Sequence, residues 1–462
     1  MKRERIFLFL IVVLWMLIET SARMLAEEPK LTPQTLDRLA EPYVDGGIVQ
    51  AMSVGVIDGA RTWTRHYGKL GKDNSMPPTD QTVYEIGSIT KVFTGVLLAD
   101  AVVQKRLSLD DPLSKVLPEL GKQNPELAER ITLLNLSTHT SALPRLPGNW
   151  IPKDFNDPYA DYNRSQLDQF LAGYRLLHTP GKYREYSNLG VGLLGDILVR
   201  KSELEYEALV RQTIFEPLKM SDSHCLANAA ADVAPPHNVA NAPDHQWSFN
   251  VLAPCGAIRS NTADMLKFAQ ACLVPPDSDL GKAIDLGWKQ HLPADKSAFA
   301  MGLGWHIARD GETRWHNGQT GGYHTMLMVN RKLNAAVIVM CNTATEKIDA
   351  VAEQAIQTIA GMKVEPMSVP KTVKVSTDAM NALAGNYRLS PLVTISVRVD
   401  DDVLRVRLTG QPELPVYPSS ETNWEYRAVK ATLVFELDDS GKAKSLTLHQ
   451  NGMKLPAPRI SP

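Results

Sequence analysis

Cysteine is scarce in this chain. Four residues, Cys225, Cys255, Cys272 and Cys341, are spread through 462 positions, and none forms a C-x-x-C pair. Such spacing argues against a thiolate metal site, so no metal is expected; buried free thiols are the expected state, with one disulfide permitted. Charge of one sign is also lacking, since 49 Lys and Arg face 51 Asp and Glu without a long run of either. The electrostatic footprint that nucleic acid requires is therefore missing. The N-terminal apolar stretch, Ile6–Ile18, is shorter than the roughly 20 residues of a membrane span. It follows Lys2, Arg3 and Arg5 and precedes the small residues Ser21, Ala22 and Ala26, which is the layout of a secretory signal. Residues 1–26 are expected to be cleaved, after Ala22 or Ala26, and the protein to be exported, periplasmic or secreted, with no stable membrane span. No cysteine precedes Cys225, which excludes a lipid-modified cysteine just after the signal.

What is present falls into two patterns. Met52–Ile57 and Thr62–Tyr67 read as strands joined by Asp58-Gly59, a hairpin opening a sheet. From Ile89, the apolar residues Val92, Phe93, Val96 and Leu97 recur at helical spacing, and helical patterns continue to about Leu218. Strand character returns at Trp305–Ala308, Thr325–Val329 and Ala335–Cys341, and Ile348–Ile359 reads as a closing helix. Residues 27–361 are therefore expected to form an α/β (α+β) domain, an antiparallel sheet flanked by helices and built from both ends of the segment, with a helical domain inserted. Pro366 and Pro370 mark a linker over 362–374. Beyond it the period becomes two, as in Val393, Ile395, Val397, Val399 and again in Leu433, Phe435, Leu437. Residues 375–462 are expected to form a small all-β barrel or sandwich.

Three short motifs carry chemistry. Ser88 and Lys91 spell S-x-x-K at the start of the apolar helix, a spacing that puts both side chains on one face and lets the amine reach the hydroxyl. The bland alternative is an N-cap serine with an incidental lysine, and Ser368-Lys371 repeats the pattern in the linker. Tyr186-Ser187-Asn188 is the chain's one Y-x-N and opens another apolar helix; a phenol beside a lysine can act as general base and acid. Gly190, Gly192 and Gly195 in that helix spell G-x-G-x-x-G, yet no strand precedes them, so close helix packing is expected in place of a dinucleotide site. His316-Asn317-Gly318, followed by Gln319, stands just before the strand at Thr325, where a glycine would let a substrate lie close to an edge strand. A second H-x-G at His66-Tyr67-Gly68 precedes the serine. The loop Leu146–Tyr162, with Trp150, Tyr159 and Tyr162, either rims a site or merely pins itself.

The ordered set S-x-x-K, Y-x-N, H-x-G, with Tyr84-Glu85-Ile86-Gly87, Leu109-Asp110-Asp111-Pro112 and Thr138-His139-Thr140-Ser141 between and around them, resembles the class C β-lactamase-related serine hydrolases and penicillin-binding proteins. The tail, with Leu383-x-Gly385-x-Tyr387, resembles a lipocalin-like accessory domain. The resemblance implies an acyl-enzyme on Ser88, proton transfer by Lys91 and Tyr186, and substrate binding by Asn188, His316 and Gly318. It also implies an oxyanion hole from the backbone N–H groups of Ser88 and Gln319. No cofactor is expected, and the partner is a small-molecule or peptide substrate: a cell-wall peptide, a β-lactam or an ester. The group includes D-Ala-D-Ala peptidases, β-lactamases and esterases, and a non-catalytic penicillin sensor is the remaining reading. His316 stands where β-lactamases of the group carry lysine. An unperturbed imidazole titrates near 6.5, so its hold on a substrate carboxylate is expected to fade between about pH 6 and 8.

Overall fold

A computed structural model describes residues 30–460, apart from 72–73, 227–232, 296–298, 369–371 and 401–402. The signal-like segment 1–26 and Lys371 of the second S-x-x-K lie outside the described residues. The hairpin forms as expected, strands β1 (Ala51–Asp58) and β2 (Arg61–Gly68) turning at Gly59 with φ +64°. Two short strands, β3 (Tyr84–Glu85) and β4 (Arg259–Ser260), pair with each other apart from the main sheet. The C-terminal half of this region supplies β5 (Ala300–Met301), β6 (His306–Ile307), β7 (Thr313–Gln319), β8 (His324–Asn330) and β9 (Ala335–Cys341). The sheet runs in the order β2-β1-β9-β8-β7-β6-β5, antiparallel at each pairing.

Both faces of its centre are covered, which explains the continuous apolar runs of β8 and β9. On one face Leu327, Val329, Ile338 and Met340 join the larger core, beneath helices α2 (Thr90–Val103), α4 (Asn188–Ser202) and α5 (Thr262–Leu273). The intervening residues Met326, Met328, Val337 and Val339 pack on the other face with α1 (Pro33–Asp45) and α7 (Asp349–Ile359). Between α2 and α4 lie short helices from Leu113 to Ser137 and α3 (Arg164–Gly173), and α6 (Asp279–Trp288) packs on α2. The sheet is thus built from both ends of the segment with helices inserted. Strand β7 was not foreseen: His316-Asn317-Gly318-Gln319 lies in it, and the polar sequence Thr-Arg-Trp-His-Asn-Gly-Gln shows no apolar alternation. Its residues 316–319 have no partner in the two-residue β6, so the outer side of this stretch is an edge.

The tail is a closed barrel of eight strands, β10 (Gly385–Ser390), β11 (Val393–Asp400), β12 (Val403–Leu408), β13 (Leu414–Pro418), β14 (Asn423–Tyr426), β15 (Ala431–Leu437), β16 (Ala443–Gln450) and β17 (Met453–Ile460). Alternate side chains such as Tyr387, Val397, Val406, Trp424, Leu433 and Leu446 fill its interior, and Met380 and Leu383 of α8 (Thr377–Leu383) join that core. Eight strands leave an interior that side chains can fill, and here they do. Pro456 and Pro458 sit in β17, which pairs along its length with β16 but meets β10 only at Arg459 and Ile460; missing N–H groups are tolerated on such an open side. The barrel rests on the rest of the chain through Tyr417, whose hydroxyl donates to Gly47 O at 3.4 Å, and through Arg427, which donates to Gly46 O. Lys347, just before α7, donates to Arg427 O.

The barrel core shares no residue with the two cores of the preceding part of the chain. A chain ending after Ser368 is therefore expected to unfold in one cooperative thermal transition, with its sheet and helix content retained by circular dichroism. Recovery of that chain only as aggregate would make the barrel an integral part of the fold.

Candidate active site

Ser88 sits in a single 3-10 turn, Gly87–Ile89, that runs into α2. Its side chain is not a helix cap, since no side-chain capping bond is made at either N-terminus. Instead Ser88 Oγ accepts from Lys91 Nζ at 2.9 Å and from the Tyr186 hydroxyl at 2.7 Å. Lys91 is 1% exposed, and its ammonium also donates to Cys255 O at 2.7 Å and lies 4.9 Å from the Tyr186 ring centroid. Among the described residues no carboxylate comes within ion-pair distance of it. The three residues named from S-x-x-K and Y-x-N thus meet, across 98 positions of sequence.

The carbonyl that holds Lys91 is delivered by helix packing. Pro254 occupies the space that a Cβ on Gly195 would fill, 2.0 Å away, and Leu252 does the same at Gly192, 2.5 Å away. Thr94 Oγ1 donates to Pro254 O at 2.7 Å, and Thr90 Oγ1 accepts from Ile258 N at 3.1 Å. The glycines of α4 therefore permit close packing and set the 252–258 segment above α2.

Tyr186 is placed by the loop before it and by the cap of α4. Ser187 Oγ accepts from Gly190 N at 2.8 Å and donates to Pro144 O at 2.7 Å. Arg145 O accepts from Asn188 N at 3.0 Å and Leu189 N at 3.2 Å. Asn188 Nδ2 donates to the Tyr159 hydroxyl at 3.1 Å, while its Oδ1 is buried without a protein partner. Tyr159 stacks on Phe249 at 4.9 Å and touches Trp247 at 5.4 Å. The long aromatic loop does both things expected of it: Trp150 and Tyr162 tie it to itself, and Tyr159 reaches Asn188.

β7 brings the third motif against the serine turn. Gly87 has φ +50°, and a Cβ on it would lie 2.7 Å from Gln319 N; a Cβ on Gly318 would lie 1.9 Å from Ile86 O. The missing side chain of Gly318 thus makes room for the Ile86 carbonyl. Thr325 Oγ1 donates to Ile86 O at 2.9 Å and locks the contact. On the opposite face of β7, Asn317 Nδ2 donates to Asp349 Oδ2 at 2.8 Å, and His324 bridges Asp349 Oδ1 at 2.8 Å and Gln319 Oε1 at 2.9 Å. His66 of the second H-x-G lies on β2, four places from β7 in the sheet order, bonded to Asp80 and Ser53.

His316 is the other binding residue expected from this motif. It is 1% exposed, and burial, with His306 and Lys91 nearby, holds its pKa well below 6.5. Its Nδ1 stands 2.6 Å from Asn317 O, and since a carbonyl can only accept, that nitrogen carries the proton. Nε2 is then a buried acceptor with no protein partner. Burial and the neighbouring cations thus work against the cationic clamp expected between pH 6 and 8. Two further histidines share this state: burial holds His139 well below 6.5 and takes His306 to about 3, with Lys91 and Arg184 adding to both. The rings of His139 and Tyr186 are 4.5 Å apart, and those of His306 and His316 are 4.8 Å apart.

Sequence reasoning missed His306, Arg145, the Cys255 carbonyl, Trp247 and Phe249, and quoted His139 only within a longer string. The four cysteines are free, with Cys225 half-buried and the others buried.

A half-buried serine hydroxyl between an ammonium and a phenol, on this frame, defines a serine hydrolase. The model of the family described as Beta-lactamase matches residues 36–360, and the Domain of unknown function DUF3471 matches residues 369–457. The chain belongs to the beta-lactamase family. It is 30% identical over 339 residues to the D-alanyl-D-alanine-carboxypeptidase/endopeptidase AmpH of Escherichia coli (strain K12), covering 68% of this chain and 85% of that one. It is 28% identical over 245 residues to a Beta-lactamase of Providencia stuartii, covering 52% of this chain and 60% of that one. A solved class C β-lactamase shares the fold with TM-score 0.63 and 21% identity, over 72% of this chain and 97% of that one. Among the described residues no helix is long and apolar enough to cross a membrane.

Two expectations follow. Valine at Gly195 would meet the Pro254 ring and displace the Cys255 carbonyl from Lys91, so Gly195→Val should slow turnover at least ~10-fold and lower Tm, a cost of about 1–3 kcal/mol for overpacking. Unchanged turnover would disconnect this packing from the site. In the unfolded chain His316 protonates near pH 6.5, whereas the folded protein keeps it neutral; the unfolded state then binds more protons below that pH, and stability falls as pH falls. Replacing His316 by Gln removes this linkage. The stability of wild type relative to His316→Gln, from urea melts, should drop by roughly 2 kcal/mol between pH 7 and pH 5, and a pH-independent difference would show that His316 charges in the folded state.

Proposed function

We infer that this protein is a serine peptidase or amidase acting on D-amino-acid peptides through an acyl-enzyme on Ser88. The observation that carries the reading is the pair of contacts on Ser88 Oγ, 2.9 Å to Lys91 Nζ and 2.7 Å to the Tyr186 hydroxyl. With one member of the Lys91–Tyr186 pair deprotonated, Ser88 Oγ attacks the scissile carbonyl carbon and passes its proton to that member, the amine of Lys91 or the phenolate of Tyr186. Tyr186 returns a proton to the leaving nitrogen, the C–N bond breaks, and an ester to Ser88 remains. Water then attacks that ester with the same pair as base, and the acid product leaves. The backbone N–H groups of Ser88 and Gln319 take the oxyanion, a role supported by the approach of Gln319 N to the Gly87 turn.

Amide substrates are favoured over esters by Asn188, one end of whose carboxamide is held by Tyr159 while the other is buried without a partner. A buried polar atom left without a partner is costly, and the acyl-side amide of a peptide would satisfy it. The similarity to a D-alanyl-D-alanine carboxypeptidase/endopeptidase agrees with this. Lys2, Arg3 and Arg5 ahead of the apolar stretch Ile6–Ile18 support export to the compartment where cell-wall peptides lie. The two parts of the chain, 27–361 and 375–462, act as a hydrolase domain and an accessory barrel joined by the linker 362–374.

A fluorophosphonate or fluorescent penicillin should label wild type and leave Ser88→Ala unlabelled, and Tyr186→Phe should lower kcat by roughly 10²–10⁴-fold. Equal labelling of Ser88→Ala would remove Ser88 as nucleophile. On a panel of D-alanyl-D-alanine peptide, nitrocefin and p-nitrophenyl acetate, the peptide should have the highest kcat/KM, and turnover of the ester alone would replace the peptidase by an esterase.

A further inference from the structure

Burial holds His316 toward its neutral form, so the other cationic groups around Tyr186 can be compared in turn as partners for a substrate carboxylate. Lys91 is buried and bonded to Ser88 and the Cys255 carbonyl. Arg184 donates to Phe299 O and faces Asp295. Arg145 differs from both. It is exposed, and its guanidinium carbon lies 5.0 Å from the centroid of the Tyr186 ring. Among the described residues no carboxylate or carbonyl accepts from its side chain. Its backbone is fixed all the same, because Arg145 O accepts from both Asn188 N and Leu189 N at the start of α4. A guanidinium on a fixed stretch of backbone therefore lies beside the phenol that touches Ser88 Oγ.

We propose that Arg145 is the anion subsite for the leaving group, binding the α-carboxylate of the C-terminal residue that departs when Ser88 is acylated. The inference rests on the serine-hydrolase reading, in which Tyr186 protonates the leaving atom. The geometry of an amino acid makes the connection: its carboxylate carbon lies only about 2.5 Å from its nitrogen. A leaving nitrogen that receives its proton from Tyr186 thus places its carboxylate next to the same ring, within the reach of Arg145. Guanidinium and carboxylate form two parallel hydrogen bonds, which fixes direction as well as affinity. The substrate class that follows is peptides ending at the residue after the scissile bond, with a free carboxylate. Peptides extended or amidated there present no charge to Arg145 and are poorer substrates.

The test compares paired substrates that differ only in leaving-group charge. One pair is an acylated D-alanyl-D-alanine peptide and its C-terminal amide; the other is a phenyl ester with a meta-carboxylate on the leaving phenol and its meta-carboxamide. Wild type should prefer the charged member of each pair, and Arg145→Gln should reduce that preference by roughly tenfold or more, mainly through KM, as expected for loss of a charged hydrogen bond. Arg145→Lys should restore part of it. Fluorophosphonate labelling of Arg145→Gln at Ser88 serves as the check on folding and on the nucleophile. If Arg145→Gln is labelled and keeps the full charge preference, or loses both members of each pair in equal proportion, the subsite is elsewhere. If wild type turns over the ester pair but neither peptide, the peptidase reading fails while the ester pair still decides the role of Arg145.

Discussion

An ammonium buried to 1% exposure with no carboxylate beside it has to be held by dipoles, and Lys91 is held by three: the Ser88 hydroxyl, the Cys255 carbonyl and the face of Tyr186. Removing a charge from water costs several kcal/mol unless such partners are already in place. Much of the surrounding packing meets that requirement. Small residues of α4 admit Leu252 and Pro254, Thr90 and Thr94 tie the same segment to α2, and Cys255 O is thereby aimed at the amine. A cation fixed without a counter-ion does not sit idle chemically, because its strongest remaining partner is the oxygen of Ser88.

The same logic explains the neutral histidines. Three imidazoles crowd a space that already contains Lys91 and is flanked by Arg145 and Arg184, and each of those cations disfavours protonation of His139. Burial and like charge act in one direction, so the site stores hydrogen-bonding atoms and not further positive charge. His139 accepts from Ser187 N through Nδ1, whereas His316 donates through Nδ1, so the two rings present opposite Nε2 character to the interior.

The layout of the fold was legible where periodicity is local. The hairpin at Asp58-Gly59, the helix after Ser88, and the alternation of β11, β15 and β16 each follow from residues a few positions apart. β7 was not legible because its side chains are polar, and their partners, Asp349 and His324, come from α7 and β8. β10, β13, β14 and β17 escaped for a related reason: they are short, or carry proline, and are strands only because a closed barrel supplies neighbours on both sides. Of the site, Ser88, Lys91 and Tyr186 were readable as types in an order. Cys255 O and Arg145 were not, since a carbonyl has no sequence signature and an arginine on a loop resembles any other until the ring beside it is known.

Four separated stretches of chain, around Ser88, Tyr186, Cys255 and Gln319, have to meet to within fractions of an ångström for the chemistry inferred above. What holds them is not the hydrophobic core alone, which tolerates small shifts, but directional bonds at each junction. Thr325 reaches Ile86 O, Ser187 reaches Pro144 O, Arg145 O receives two N–H groups of α4, and His324 with Asp349 braces the far side of β7. Each of these bonds is made within the protein and needs no substrate. Ser88, Lys91, Tyr186 and the backbone of Gln319 are therefore in register before any ligand arrives, and Asn188 Oδ1, His316 Nε2 and the Arg145 guanidinium are among the groups without a protein acceptor or donor that a ligand could satisfy.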